Sequence, residues 1–187
     1  MKKIALFVSV LLFFFTSIAS AHGPVRQKTA EKITINAPAA KVWALIKDFG
    51  DMSWHPDIVN TSIQGGNTKG ATRVLTLKDG NTITEELKKY DDKKLSYAYK
   101  ITEMSSSKKI THAGAEEEVP ALPVTDYSAS IDLTEKGGST EVDWKAAYYR
   151  AYMNNNPPEE MNDEAANNAV KAVLETGLIH LKALAEK

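Results

Sequence analysis

The sequence contains no cysteine, which excludes disulfide bonds, thiolate chemistry and cysteine-ligated metal sites. The charge is nearly balanced, with 23 basic and 24 acidic residues and a formal net charge of −1. This balance does not favour a polyanionic partner, so we expect no nucleic-acid binding. A glycine-rich phosphate loop, a nucleophile elbow and a paired-histidine metal helix are also missing. The sequence therefore predicts neither a cofactor nor a catalytic residue.

Only one long apolar run is present, at residues 4–18. It follows Lys2 and Lys3, and it precedes Ala19-Ser20-Ala21, whose small side chains suit a signal peptidase. The run is about 15 residues long, shorter than the roughly 20 that a helix needs to cross a membrane. We therefore predict a signal peptide at 1–21 that is cleaved after Ala21, a periplasmic location and no stable membrane insertion after cleavage.

The rest of the chain predicts a short flexible tail at 22–28 and one domain at 29–187. Alternation around Ile33 and Ile35 predicts a first strand. A helix should then run from Pro38 to Phe49 and end at Gly50. Residues 51–56 fit no regular element, and extended structure should resume at 58–63.

A hairpin is predicted between residues 71 and 90, because Lys78-Asp79-Gly80 forms a type I turn with glycine in the left-handed position. This turn sets the register: Leu75 should face Ile83, and Arg73 should face Glu85 on the inner side of the sheet.

Alternating apolar residues predict three further strands. Between them, Met104 to Pro123 holds three Ser, the Glu116 to Glu118 run and two Pro without a sustained period, so this segment, including Ser105 to Ala121, is predicted to be a mobile loop. An apolar stripe including Val170, Leu174 and Leu181 predicts one long carboxy-terminal helix. The predicted fold class is α+β: a curved antiparallel sheet of six or seven strands wrapped around that helix, with a cavity between them.

The order of these elements resembles the helix-grip superfamily (SRPBCC), which includes START domains, polyketide cyclases and birch-pollen-type allergens. The motifs that carry this resemblance are Pro38 to Trp43, Asp48-Phe49-Gly50, Trp54-His55-Pro56, the Arg73 to Gly80 hairpin and Leu122-Pro123-Val124. Within the superfamily, the chain looks most like exported MxaD-type accessory proteins of bacterial methanol oxidation. The stretches that carry this finer likeness are Glu85 to Asp91, Trp144-Lys145, Tyr149-Arg150, Asn154 to Pro158 and Asn162 to Ala166.

The MxaD-type resemblance implies a non-enzymatic protein that assists periplasmic methanol dehydrogenase and its cytochrome c acceptor. One departure from the family is the Ser105 to Ala121 segment, which looks longer and more acidic than the family's connection. Glu116 to Glu118 could steer a basic cytochrome by long-range attraction, although such a run is more often a solvated loop.

Several inward residues are candidates for a ligand cavity. Arg73 and Glu85 could hold a polar ligand end or only bridge two strands. His55 could act as acid, base or donor or be structural, and Gly177 could mark a close approach to the final helix. The aromatic candidates are Trp54, Tyr97, Tyr99, Tyr127, Trp144 and Tyr148. The four histidines show no metal-ligand spacing, so we predict no metal site.

Two other functions remain open. The first is a carrier of a small hydrophobic or aromatic ligand, anchored at Arg73 and Glu85 beneath Tyr97 and Trp144. The second is a cyclase-like enzyme that uses His55 or Glu85 as acid or base.

Overall fold

The computed structural model describes residues 23–187, so the predicted signal peptide and His22 lie outside the described residues. The strands are β1 Gln27–Ile35, β2 Ile58–Gln64, β3 Thr72–Leu77, β4 Thr82–Asp91, β5 Ser96–Met104, β6 Ser106–His112, β7 Ala115–Pro120, β8 Val124–Lys136 and β9 Ser139–Arg150. The helices are α1 Ala39–Ile46 and α2 Asp163–Ala185, and a short 3-10 turn, Glu159–Met161, precedes α2.

Seven strands form one antiparallel sheet in the order β1-β9-β8-β5-β4-β3-β2. Register shifts interrupt the pairing of β4 with β5 and of β8 with β9. Such bulges bend a strand, which lets the sheet curve. Helix α2 packs against the sheet, mainly at β1 and β9. This arrangement confirms the predicted α+β helix-grip fold.

The hairpin of β3 and β4 has the predicted register. Arg73 lies opposite Glu85, and Leu75 lies opposite Ile83. The Leu77 N–H donates to the Asn81 carbonyl oxygen at 2.8 Å, and Gly80 takes a φ of +87° as the turn requires. The turn therefore places a basic and an acidic side chain together on the inner face.

The prediction of a mobile loop from Ser105 to Ala121 is wrong. Strands β6 and β7 pair with each other as a separate two-stranded sheet. Ala113 and Gly114 both have positive φ, as in a type I′ turn. Lys109 Nζ lies 2.6 Å from Glu116 and 3.7 Å from Glu118. Cross-strand ion pairs and a turn thus build this hairpin without the apolar alternation that identifies a strand in a sequence.

Boundaries differ slightly from the prediction at both ends of the first βα unit. Strand β1 begins at Gln27, inside the predicted tail, and the neighbouring Arg26 donates to Asp126 at 2.6 Å. Helix α1 ends at Ile46, before the predicted end at Phe49. These shifts leave the order of the elements unchanged.

Helix α2 buries the predicted stripe, including Val170, Leu174 and Leu181. It begins at Asp163 and is capped by Asn162, whose side-chain oxygen accepts from the Ala165 N–H at 2.8 Å. Within residues 23–187, no helix is both long and apolar enough to cross a membrane.

Candidate functional site: a cavity between the sheet and the last helix

A cavity of about 310 Å³ lies between the inner face of the sheet and α2. This volume is at the lower end of the roughly 300–1,000 Å³ that is usual for small-molecule pockets. Its walls are mostly apolar and come from strands β2, β3, β4, β5, β8 and β9, from α2, from the β3–β4 turn and from the segments before β2 and β8. The lining residues are Met52, His55, Asp57, Ile58, Leu75, Leu77, Lys78, Asp79, Ile83, Glu85, Tyr99, Ile101, Ala121, Leu122, Tyr127, Trp144 and Val173. Lys78 and Asp79 are exposed and mark the mouth.

Glu85 provides the buried charge of this cavity. Its side chain is 6% exposed, and its Oε2 accepts from Arg73 Nε at 2.6 Å. Arg73 itself does not line the cavity: it is 1% exposed, and its Nη1 donates to the Phe49 carbonyl oxygen at 2.8 Å. Burial raises the pKa of the Glu85 carboxyl, and the Arg73 charge opposes this rise. The acid therefore faces the cavity and the base stands behind it.

The Arg73 guanidinium is enclosed by aromatic rings. Its central carbon lies 4.0 Å from the centroid of Phe49 and 5.1 Å from that of Tyr99. These contacts and the two hydrogen bonds hold it in place.

Tyr99, Tyr127 and Trp144 form the aromatic part of the wall. Trp144 Nε1 donates to the Tyr99 hydroxyl at 3.1 Å, and the Tyr99 and Tyr127 ring centroids are 6.4 Å apart. Burial raises the pKa of both phenols above the ordinary value, so both hydroxyls are neutral at neutral pH.

His55 is fixed on the wall by hydrogen bonds at both ring nitrogens. Nε2 lies 3.0 Å from the Val173 carbonyl oxygen, which makes Nε2 the donor. Nδ1 accepts from the Asp57 N–H at 3.3 Å. Burial lowers the pKa of His55, because the charged imidazolium is poorly solvated there.

The predicted candidates fall into two groups. His55, Glu85, Tyr99, Tyr127 and Trp144 line the cavity. The remaining five support it from outside its lining: Trp54, Arg73, Tyr97, Tyr148 and Gly177.

Each supporting aromatic has packing partners of its own. Trp54 packs on Trp144 with centroids 5.4 Å apart. Tyr97 packs between Trp43 and Phe49, and burial raises its pKa to about 12. The Tyr148 hydroxyl lies within hydrogen-bond distance of the Thr29 and Asn167 side chains, which joins β9 to β1 and α2.

At Gly177, helix α2 lies against the cavity wall with no room for a side chain. A Cβ atom at this position would lie 2.6 Å from His55 Cδ2 and 2.8 Å from Trp144 Cζ3. Both distances are shorter than a carbon–carbon contact allows. The glycine thus lets the helix lie directly on two cavity residues.

The cavity residues predicted from the sequence did not include much of the apolar wall. Ile58, Leu75, Ile83 and Ile101 line the cavity at inward strand positions, and strand alternation carries a signal for them. Met52 and Leu122 also line it, but they lie in irregular segments where no period marks the inner side.

A second cleft, of about 510 Å³, lies outside the first cavity, beneath the β6–β7 hairpin. Its lining is more polar and includes Glu103, Glu117 and Glu118 beside Tyr152 and Asn154. Although this cleft is larger, the inner cavity better combines apolar walls with a few buried polar groups, as small-molecule sites do. Among residues 23–187, no group of three or more His, Asp or Glu side chains is arranged to hold a metal ion.

Comparison with solved structures finds similar proteins of nearly the same length. An uncharacterized protein from Bacillus thuringiensis is 26% identical, with a TM-score of 0.67 over 86% of this chain and 100% of the other. The protein XoxI from Bacillus cereus is also 26% identical, with a TM-score of 0.65 over 84% of this chain and 94% of the other. Ara h 8.0201 shares the fold, with a TM-score of 0.62 at 15% identity over 86% of this chain and 98% of the other.

Among curated proteins, none matches the sequence significantly. A family model described as "Polyketide cyclase / dehydrase and lipid transport" matches residues 26–186, nearly all of the described chain. The chain therefore belongs to the polyketide cyclase/dehydrase and lipid transport family.

Proposed function

We propose that the protein binds a small, largely apolar molecule in the inner cavity without transforming it. The observation that carries this proposal is the cavity itself: about 310 Å³ with apolar walls and a few polar groups, Glu85, Tyr99 and Tyr127, placed deep inside. The family description, which includes lipid transport, supports binding of apolar molecules.

A non-catalytic role is favoured by the way that His55 is held. Both ring nitrogens of His55 have hydrogen-bond partners within the protein. A general acid or base needs a free position within hydrogen-bond reach of its substrate. One observation supports the cyclase-like alternative: His55 and Glu85 line the same cavity.

Binding can be tested with the neutral fluorescent probe N-phenyl-1-naphthylamine and two variants of α2. Val173 lines the cavity, so Val173→Phe should fill part of it and weaken binding at least ten-fold. Ala172 is exposed beside it, so Ala172→Phe should leave affinity unchanged. Saturable one-to-one binding that is lost only in Val173→Phe supports the proposal. Absence of saturable binding, or equal binding in both variants, contradicts it.

As a second candidate function, we propose the MxaD-type role: assistance of methanol dehydrogenase and its cytochrome c in the periplasm. The supporting observation is that three of the stretches that carry this resemblance meet at Arg150. Its Nη1 donates to Asp163 at 3.0 Å, and its Nη2 donates to the Asn154 carbonyl oxygen at 3.0 Å. Asn154 is exposed, which leaves this cluster accessible to a protein partner.

Surface-immobilised protein and purified methanol dehydrogenase and cytochrome c test the accessory role directly. We expect saturable binding that Asn154→Arg weakens and that Lys93→Glu, on an exposed turn away from the cluster, leaves unchanged. If neither protein binds and cytochrome-linked methanol oxidation is unaffected by the purified protein, the role is wrong. Amino-terminal sequencing of the exported protein checks the predicted location separately, with His22 expected as the first residue.

A further inference from the structure

The charged groups around the inner cavity are mainly acidic. Glu85 lies deep in it, while Asp57, Asp79 and Lys78 lie toward the mouth. Lys78 Nζ is 3.2 Å from Asp57 Oδ1, so the one lysine of the lining is already paired. The three carboxylates of the lining outnumber this one exposed lysine, so the formal charge around the cavity is negative and disfavours an anionic ligand.

Arg73, the buried base behind Glu85, already has partners within the protein. Nε binds Glu85, Nη1 binds the Phe49 carbonyl oxygen, and two aromatic rings cover its faces. An anionic ligand group would meet the Glu85 carboxylate before it could reach this guanidinium. Two negative charges in a buried site repel each other strongly, because little water is present to screen them.

The remaining polar groups of the cavity add no positive charge that would offset its carboxylates. Tyr99 and Tyr127 are neutral phenols, and the Tyr99 hydroxyl already accepts from Trp144 Nε1 at 3.1 Å. His55 uses Nε2 as a donor to Val173, and burial favours its neutral form. A ligand that enters the cavity therefore finds one carboxylate, which only accepts hydrogen bonds, and two phenol hydroxyls, which can donate or accept.

We infer that the ligand of this cavity is a small, largely apolar molecule that carries a hydrogen-bond donor, an amine or a hydroxyl group, and no carboxylate. The donor binds the Glu85 carboxylate, and the apolar body lies between Val173 of α2 and the side chains of Leu75 and Ile83. This inference rests on the proposed binding function and narrows its ligand class.

A matched series of naphthalene compounds tests the inference on the unmodified protein. The series is naphthalene, 2-naphthol, 2-naphthylmethylamine and 2-naphthoate, with isothermal titration calorimetry as the readout. A hydrogen bond to a charged group contributes about 1.5–3 kcal/mol, so the amine and the alcohol should bind at least about ten-fold more tightly than 2-naphthoate. Equal or tighter binding of 2-naphthoate overturns the inference and leaves the proposed binding function intact. If no member of the series binds, both are wrong.

Glu85→Gln tests the assigned residue, because it keeps the shape of the side chain and removes its charge. We expect the preference for 2-naphthylmethylamine over 2-naphthoate to fall at least ten-fold, while naphthalene affinity stays within about two-fold. Tyr127→Phe, which lines the same cavity but keeps the carboxylate, should retain the preference. An unchanged preference in Glu85→Gln contradicts the inference. If that variant does not fold, the series on the unmodified protein decides the question.

Discussion

Arg73 and Glu85 depend on each other, since both are buried and neither can reach water to solvate its charge. Removal of one partner of a buried ion pair costs about 3–5 kcal/mol, whereas replacement of both by apolar residues is often nearly neutral. The geometry here fits that case, with Nε and Oε2 2.6 Å apart and side chains 1% and 6% exposed.

The first prediction is a double-mutant cycle on this pair. Arg73→Met should lower the free energy of unfolding by about 3–5 kcal/mol, because Glu85 loses its counter-charge. The double variant Arg73→Met with Glu85→Leu should be more stable than Arg73→Met alone. Urea unfolding of the wild type, Arg73→Met, Glu85→Leu and the double variant at pH 7 measures the cycle. Losses that simply add would show that the two side chains do not act as a pair.

His55 gives a prediction about pH. Burial holds its pKa in the folded protein below the ordinary value of 6.5, so the unfolded chain binds a proton more readily. The contribution of neutral His55 to stability is therefore complete above about pH 6.5 and is lost as the pH falls toward the lower folded-state pKa.

The measurement is urea unfolding of the wild type and His55→Gln between pH 7.5 and 5. The wild type should lose more unfolding free energy over this range than the variant, whose side chain does not titrate. The comparison is between the slopes of unfolding free energy against pH for the two proteins, since the Gln side chain can also shift stability by the same amount at every pH. Parallel slopes would mean that the folded protein does not depress the His55 pKa.

Helix α2 packs tightly against His55 and Trp144 at Gly177. In an exposed helix, Gly→Ala stabilises by up to about 1 kcal/mol. Here the new methyl group would lie 2.6 Å from His55 and 2.8 Å from Trp144, and overpacking of this kind costs about 1–3 kcal/mol. We therefore expect Gly177→Ala to lower the free energy of unfolding.

A matched control is Asn168→Ala, at an exposed position on the same helix, which should be neutral or stabilise by a few tenths of a kcal/mol. Chemical unfolding of both variants tests the prediction. A stabilised Gly177→Ala would mean that the helix and the sheet can separate at this point without cost.

The β6–β7 hairpin should behave as ordered structure in hydrogen exchange. Its paired backbone amides are expected to exchange more slowly than those of the exposed turn at 66–69. Lys109→Ala removes the cross-strand ion pairs with Glu116 and Glu118 and should lower local stability by about 0.2–1 kcal/mol. Lys93→Ala, at an exposed lysine outside the hairpin, serves as the control. Fast exchange throughout 106–120 would contradict the hairpin.

Over the whole molecule, the sequence predicted the fold best where a short motif, such as a turn or an apolar stripe, determined the register of a strand pair or the buried face of a helix. The turn at Lys78-Asp79-Gly80 fixed the pairing of Arg73 with Glu85, since a one-residue slip of β4 along β3 would have put the two side chains on opposite faces of the sheet. The apolar stripe of α2 likewise predicted the side of the helix that is buried.

The sequence was less informative where contacts join distant segments. The Phe49 carbonyl oxygen that holds Arg73 lies 24 residues away along the chain, and no periodic pattern marks it. Met52 and Leu122 meet at the cavity from two irregular segments. The β6–β7 hairpin was missed because strand prediction looks for apolar alternation, and here ion pairs and a turn take its place.

The central claim is that a small molecule binds between the sheet and α2, and amide chemical-shift mapping by NMR tests it most directly. On titration with 2-naphthylmethylamine, the account predicts the largest shifts at cavity residues such as Leu75, Ile83, Tyr99 and Val173. Residues on the outer face of the same strands, such as Val74 and Thr84, should shift little. Shifts confined to the outer face or to the cleft beneath the β6–β7 hairpin, or no shifts at all, would contradict the account.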